Sequence, residues 1–171
     1  MNQNEPIKFA IAGMGMIGKR HAAMIEANTA TILSAVCDIK PPQETGFEGT
    51  AAYHGSLAEM LKNHPEVDVV NICTPNGLHA AMAIEALEAR KHVVIEKPMA
   101  LSKADAEKII FKALQMSRQA FVVMQNRYSP PAIWLKEVIH ENRLGEIYMV
   151  QVNCYWNRDS RYYTGKNWHG T

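Results

Sequence analysis

The chain has 171 residues, of which 47% are hydrophobic and 20% are charged, and its net charge is +1. This balance is typical of a folded globular protein and argues against an intrinsically disordered chain. Charges of both signs are interspersed, so neither a nucleic-acid surface nor a membrane-seeking patch is expected. No apolar run is long enough to span a bilayer, and the first residues lack the basic and apolar segments of a secretory signal. A cytoplasmic location is therefore expected.

The three cysteines, Cys37, Cys73 and Cys154, have no short spacing between them. An odd number without a C-x-x-C pair argues against a disulfide framework and against a zinc site. No set of His, Asp and Glu residues has metal-ligand spacing either, so the sequence predicts no metal centre. Cys37 and Cys73 lie within apolar runs and are predicted to be small core residues.

The first part of the chain alternates between strand and helix signals. Ile7–Ala12 is a short apolar run that predicts a strand. A glycine-rich turn follows it, and apolar residues then recur at helical spacing through Ile25. Thr31–Cys37 predicts a second strand that ends at Asp38. Residues 40–50 contain two prolines and two glycines and are predicted to form a loop.

The same alternation continues through residue 124. A capping box, Ser56 followed three residues later by Glu59, predicts a short helix that ends before Pro65. Further helices are predicted at 78–90 and after Ser102, and further strands at 67–73, 92–95 and 120–124. Five strands alternating with helices indicate a parallel sheet with helices on its faces, joined by right-handed crossovers. The predicted fold class is therefore α/β, with a doubly wound Rossmann sheet.

The pattern changes near residue 125, where we place a domain boundary. A proline pair at 130–131 predicts the start of a helix that Gly145 terminates. Residues 147–156 alternate in character and predict a long strand of an antiparallel or mixed sheet. The predicted domains are a Rossmann domain at 1–125 and the incomplete start of a second, α+β domain at 126–171.

The turn after the first strand carries the G-x-G-x-x-G pattern at Gly13, Gly15 and Gly18. The first glycine allows a tight turn, the second lets the backbone approach a pyrophosphate, and the third lets helix and strand pack closely. The helix start supplies free N–H groups for the phosphates. Asp38 follows at the separation expected of a carboxylate that binds a ribose. The motif predicts a dinucleotide site, and Asp38 favours NAD over NADP because a carboxylate repels a 2′-phosphate.

Two further motifs, T-P-N at 74–76 and E-K-P at 96–98, fall at the carboxyl ends of predicted strands. Open α/β sheets bind their ligands at these ends. The Lys97 ammonium is suited to stabilise alkoxide charge on a reacting hydroxyl, and a desolvated lysine can shuttle protons. The adjacent Glu96 favours an orienting role for Lys97.

These motifs, in this order, resemble the Gfo/Idh/MocA family of oxidoreductases, and the resemblance covers essentially the whole chain. It implies NAD(P)-dependent hydride transfer between a nicotinamide cofactor and a sugar or nucleotide-sugar hydroxyl, with Lys97 as the catalytic residue. In this resemblance the backbone around Met16 and Ile17 holds the pyrophosphate, and Glu96 and Lys97 lie beside the nicotinamide. The implied cofactor-binding residues are Gly13, Gly15, Met16, Ile17, Gly18, Asp38, Thr74, Pro75, Asn76, His79, Glu96, Lys97 and Gln125.

The polar segments after residue 124 are most similar to the family branch that acts on nucleotide-linked or acidic sugars. The candidate substrate residues are Arg127, Tyr128, Arg158 and Trp168. A guanidinium matches a carboxylate or a phosphate bidentately, which suits the two arginines, although an ordinary surface position is the alternative for each. The resemblance also implies a small-molecule sugar or nucleotide sugar as the binding partner and a homo-oligomeric protein.

Family members are roughly twice as long as this chain, which suits two domains of ordinary size. Their second half carries a glycine-rich segment and a histidine that works with the lysine, and His169 precedes the position of that segment. The chain therefore resembles the N-terminal part of an enzyme and is expected to be inactive alone. The strand at 147–156 would lack partners, so we expect it to pair with another copy or to be poorly ordered.

Two other interpretations of the glycine motif stay open at the level of sequence. One is a stand-alone NAD-binding or regulatory module without turnover. The other is an S-adenosylmethionine-binding protein, whose fold also uses a glycine-rich first turn, although the T-P-N and E-K-P motifs argue against it.

Overall fold

A computed structural model describes residues 5–160 of the chain. The chain divides into two compact units, the first of which ends at Val123 and the second of which begins at Met124. The first unit contains a sheet with helices on both faces. The second unit, as far as it is described, contains a short 3-10 turn and one α-helix.

All strands of the described residues form one parallel sheet. They are β1 (Ile7–Ala12), β2 (Thr31–Cys37), β3 (Ala52–His54), β4 (Val69–Ile72), β5 (His92–Ile95) and β6 (Ala120–Val122). Their order across the sheet is β3-β2-β1-β4-β5-β6, which is the Rossmann order. The direction in which the chain crosses the sheet reverses between β1 and β4. The ligand crevice of such a sheet lies outside the carboxyl ends of these two strands.

Helices cover the two faces of this sheet unequally. The helices of the first unit are α1 (Met16–Glu26), α2 (Pro42–Thr45), α3 (Leu57–Asn63), α4 (His79–Glu88) and α5 (Lys103–Gln115), and the second unit contains α6 (Pro130–His140). Side chains of α1 join one apolar cluster with Ile11 and Val36, whereas α3, α4 and α5 join another with Ala10 and Ala35. Successive residues of β1 and β2 therefore serve opposite faces. Burial on both faces explains why these strands are continuous apolar runs in the sequence.

Two of the cysteines belong to this core, as predicted. Cys37 is 2% exposed and Cys73 is 6% exposed. Burial, reinforced by the neighbouring Asp38 carboxylate, raises the pKa of the Cys37 thiol to about 12, and burial also raises the pKa of Cys73. Both thiols are therefore protonated and unreactive near neutral pH. No group of three or more His, Cys, Asp or Glu within residues 5–160 is arranged to hold a metal ion.

The segment between β2 and α3 contains two regular elements, of which the first lies within the loop predicted at 40–50 and the second follows it. A single helical turn, α2, occupies residues 42–45, and β3 pairs with the last three residues of β2. The prediction of five strands was therefore wrong by one edge strand. Three residues are too few to show a period of two in a sequence, so β3 is defined by its hydrogen bonds to β2 rather than by its own pattern.

The second unit departs from the prediction in two places. Helix α6 ends at His140 rather than at Gly145, because Asn142 adopts a left-handed conformation with φ 53°. The amide of Arg143 then donates to the Val138 carbonyl, which closes the helix. Residues 147–156 form no strand among the described residues, and their large side chains are exposed. A ladder requires a partner strand, which alternation along one segment does not supply.

Within the part of the chain that the structure describes, no helix is both long enough and apolar enough to cross a membrane.

Candidate functional site

The three glycines after β1 differ in how much space a side chain would have at each position. Gly13 has φ +94°, and a Cβ there would lie 2.8 Å from the carbonyl carbon and oxygen of Cys73. A Cβ on Gly18 would overlap the carbonyl oxygen of Gly13. Around Gly15, by contrast, no atom lies within 4 Å of the Cβ position. The fold itself therefore requires Gly13 and Gly18, whereas Gly15 faces open space above the turn.

The start of α1 presents uncapped backbone N–H groups next to this open space. Gly15 is the N-cap residue and, having no side chain, offers no capping hydrogen bond. The first turn contains no acidic residue, and Met16 is 78% exposed. Free N–H groups and the positive end of the helix dipole together favour an anion at this point.

Asp38 is held at the carboxyl end of β2, beside the glycine turn. Its Oδ2 accepts a hydrogen bond from the Met14 amide at 2.7 Å, and its Oδ1 accepts one from the Lys40 amide at 2.9 Å. Its own amide donates to the His54 carbonyl at 3.2 Å. The carboxylate is thus fixed in orientation, and each oxygen keeps a second lone pair for another donor.

The segment after β4 carries a buried hydroxyl without a partner. Among the described residues, the Thr74 Oγ1 and the Asn71 Oδ1 are the buried side-chain oxygens that make no hydrogen bond. Leaving such a group unpaired costs about 1–3 kcal/mol. Pro75 is exposed, and Asn76 begins the 3-10 turn that leads into α4. A polar ligand at this strand end would meet an unsatisfied donor and acceptor in Thr74.

His79, the first residue of α4, turns inward and is only 1% exposed. Its Nδ1 lies 2.7 Å from the Pro98 carbonyl oxygen, and its Nε2 lies 2.8 Å from the Thr74 carbonyl oxygen. Because carbonyl oxygens only accept, both hydrogen bonds exist together only when each ring nitrogen carries a proton. His79 therefore ties the T-P-N segment to the E-K-P segment, and its contribution to the cofactor site stays a prediction.

Glu96 is the centre of a hydrogen-bond network of polar side chains next to Lys97. The glutamate is 8% exposed, and its Oε1 lies 3.1 Å from His21 Nε2. Its Oε2 accepts the Lys97 amide at 3.2 Å, and His21 Nδ1 lies 2.9 Å from Asn71 Nδ2. Lys97 itself is exposed, and its peptide bond to Pro98 is cis. This hydrogen-bond network connects α1, β4 and the end of β5 through side chains alone.

The sequence analysis did not predict two residues of this hydrogen-bond network, His21 and Asn71. Signals for both exist in the sequence. His21 lies on the first turns of the helix that the glycine motif opens, and Asn71 is the polar residue within the apolar run 69–72. A buried polar residue in a central strand calls for a hydrogen-bonding partner.

The remaining predicted residues belong to the second unit, which is described by itself. Gln125, Arg127 and Tyr128 lie in the 3-10 turn at 125–128, and all three are exposed. The guanidinium of Arg158 lies 4.8 Å from the ring centroid of Trp156, within the range of a cation–π contact. Trp168 lies outside the described residues. The structure brings together the candidates of the first unit at the carboxyl ends of β1, β2, β4 and β5.

Comparison with known proteins gives relatives for most of the chain. Inositol 2-dehydrogenase of Rhizobium meliloti is 29% identical over 149 residues, which are 85% of this chain and 44% of that protein. An inositol 2-dehydrogenase of Salmonella typhimurium is 32% identical over 157 residues, 87% of this chain and 46% of that protein. The chain thus spans a little less than half the length of these relatives.

Two solved structures are similar along nearly the whole chain. The WlbA dehydrogenase of Chromobacterium violaceum, crystallised with NADH and UDP-GlcNAcA, has a TM-score of 0.90 and 38% identity, covering 99% of this chain and 50% of its own. The WlbA dehydrogenase of Bordetella pertussis, in complex with the same two molecules, has a TM-score of 0.92 and 34% identity, covering 98% and 51%.

The family model described as an oxidoreductase family with an NAD-binding Rossmann fold matches residues 7–124, which contain the glycine turn, Asp38 and Lys97. The chain belongs to this family, the Gfo/Idh/MocA oxidoreductases.

Proposed function

We propose that the chain is the cofactor-binding part of an NAD-dependent dehydrogenase that acts on a hydroxyl of a sugar or nucleotide sugar. One observation carries the proposal: the open space over Gly15, a fixed carboxylate on Asp38 and the Glu96–Lys97 peptide lie along the carboxyl ends of neighbouring strands. The dehydrogenases that resemble the chain were crystallised with NADH and UDP-GlcNAcA, which supports both the cofactor and the substrate class.

The residues present fit a dinucleotide. The uncapped N–H groups of α1 would hold the pyrophosphate over Gly15, and the free lone pairs of Asp38 would accept ribose hydroxyls. The orphaned Thr74 hydroxyl supplies a further buried partner for a polar group of the cofactor. Asn76 and Pro75 border the same crevice between β1 and β4.

The bound nicotinamide supplies a hydride acceptor, which side chains cannot provide. The chain contributes electrostatic stabilisation: the Lys97 ammonium would donate a hydrogen bond to the substrate oxygen and stabilise the negative charge that develops there as the hydroxyl proton passes to solvent. Glu96 is engaged by His21 and by the Lys97 amide, so it orients the lysine instead of acting as a base. We propose Arg127 and Arg158 as partners of an acidic or phosphate group of the substrate.

Replacing Lys97 separates binding from chemistry. In Lys97→Ala, we expect NADH affinity to stay within about threefold of the wild type. In a full-length dehydrogenase that carries this chain, turnover with NAD and UDP-GlcNAcA should fall by about 100-fold or more, because the cation that stabilises the developing alkoxide is gone. The measurements are a fluorescence titration with NADH and a steady-state assay of NAD reduction.

The matched control is Lys103→Ala, because the Lys103 side chain is 91% exposed and belongs to the first turn of α5. Near-normal turnover in Lys97→Ala would refute the role given to the lysine. Tight NADH binding by the wild type, without turnover on any sugar or nucleotide sugar even in the full-length protein, would favour the non-catalytic module.

Asp38 is proposed to select NAD over NADP, since its carboxylate repels a 2′-phosphate. In Asp38→Ser, we expect NADP to bind more tightly than to the wild type and NAD to bind about tenfold more weakly. Calorimetric titrations with both cofactors measure this change, and Glu44→Ser serves as the control because that carboxylate is exposed on α2. A wild type that binds NADP more tightly than NAD would contradict the assignment.

A further inference from the structure

We propose that His21 is a positioning residue that fixes the Glu96–Lys97 peptide. The inference rests on the proposed function only for the role of Lys97. Its geometric part concerns three side chains from three elements: His21 of α1, Asn71 of β4 and Glu96 at the end of β5. Asn71 is 4% exposed and Glu96 is 8% exposed, whereas the side chain of His21 is 16% exposed.

The hydrogen bonds of His21 determine which ring nitrogen carries its proton. Asn71 Nδ2 is a donor only, so His21 Nδ1, 2.9 Å away, must accept and has no proton. The proton of the neutral ring is then on Nε2, which donates to Glu96 Oε1 across 3.1 Å. Asn71 thus aims the one N–H of the imidazole at the carboxylate.

The Glu96 carboxylate connects the His21 imidazole to the backbone of Lys97. Glu96 Oε2 accepts the amide of Lys97 at 3.2 Å, so the two oxygens bridge the imidazole and the lysine backbone. A carboxylate this buried requires donors, and His21 is a side-chain donor from a different element. His79 holds the other end of the same turn through the Pro98 carbonyl. The position of Lys97 therefore depends on the helix that the glycine motif opens.

Removing the imidazole should release this peptide without changing the fold. In His21→Leu, Glu96 loses a donor and turns toward solvent, so the Lys97 amide loses its acceptor. We expect hydrogen exchange of the Lys97 amide to become at least about tenfold faster. His21→Gln keeps an N–H donor at a similar reach and should restore exchange to within about threefold of the wild type.

The experiment measures amide exchange by NMR in the nitrogen-15-labelled chain. The Ile11 amide, within the central strand β1, reports global stability and should exchange equally in all variants. His140→Leu is the matched control, since His140 is exposed at the end of α6. Imidazole nitrogen spectra of the wild type near neutral pH should show His21 Nδ1 without a proton, and Asn71→Ala should remove that preference.

The outcomes are distinct. Unchanged Lys97 exchange in His21→Leu, with Ile11 also unchanged, overturns the proposal, as does a protonated Nδ1 in the wild type. If His21→Leu speeds exchange at Ile11 as well, the wild-type imidazole spectrum and the Asn71→Ala spectrum decide. A wild type that fails to bind NADH in titration, while His21 behaves as expected, removes the proposed function and leaves the positioning role supported.

Discussion

At the scale of single residues, the glycine motif contains two different requirements. Gly13 and Gly18 are needed because the polypeptide passes too close to itself for a side chain. Gly15 meets no such obstacle, and its φ of −68° is accessible to any residue. The fold therefore does not require glycine at position 15, and the open space there is available to the pyrophosphate proposed above.

This difference yields a prediction for a matched pair of alanine substitutions. Gly15→Ala should leave the melting temperature within about 2 °C of the wild type but weaken NADH binding by about tenfold or more, because the methyl group occupies the phosphate approach. Gly18→Ala should lower the free energy of unfolding by more than about 1 kcal/mol, because its Cβ overlaps the Gly13 carbonyl. Thermal unfolding and NADH titration of both variants check the prediction.

The reverse pattern would contradict this division of roles. Unaltered NADH binding in Gly15→Ala would mean that the open space over the turn receives no ligand group. Unaltered stability in Gly18→Ala would mean that helix α1 can move away from the turn at little cost.

Residue types in the motifs could be predicted from the sequence, but their partners could not. The spacing of Asp38 from the glycines indicated a carboxylate near the turn, whereas its bonds to the Met14 and Lys40 amides follow from the course of the chain. His79 belongs to a recognisable motif, yet its burial against two carbonyls depends on how α4 meets the E-K-P turn. Motif spacing carries no information about contacts between distant segments.

At the scale of elements, the predictions succeeded where apolar runs are bounded by strong signals. The bounds of β1, β2 and β5 agree with the sequence patterns. Strand β4 is shorter than predicted, since only residues 69–72 lie in the ladder. The short elements α2 and β3 and the end of α6 were missed because each depends on tertiary hydrogen bonds or on one left-handed residue.

The N-terminus of α5 offers a test of a predicted cap. The Ser102 Oγ accepts the Asp105 amide at 3.1 Å, as its position before the helix indicated. We expect Ser102→Ala to lower the free energy of unfolding by about 1 kcal/mol, because a terminal N–H loses its acceptor. Ser102→Thr keeps a hydroxyl at this position and should lose no more than about 0.5 kcal/mol. Urea unfolding measures both, and equal stability of the alanine and threonine variants would contradict the capping role.

At the scale of the whole molecule, the alternation of strands and helices was sufficient to predict the parallel doubly wound sheet. Continuous apolar runs in parallel strands report burial on both faces, and that burial is observed for β1 and β2. Residues 147–156 show the limit of such reasoning. Alternation there assigns faces to side chains, but the pairing that makes a strand depends on another strand. The proposed oligomer and the proposed pairing with a second copy stay predictions.

The position of β4 beside β1 also has a consequence for how the protein is made. The amide of Lys8 bonds to the Asp68 side chain 60 residues later, and Gly13 takes its tight turn against the backbone after β4. Synthesis proceeds from the N-terminus, so β1, β2 and β3 leave the ribosome before β4, the strand that pairs with the other side of β1. The glycine motif occupies six consecutive residues, but the contact of Gly13 with the backbone after β4 can form only once β4 has been synthesised.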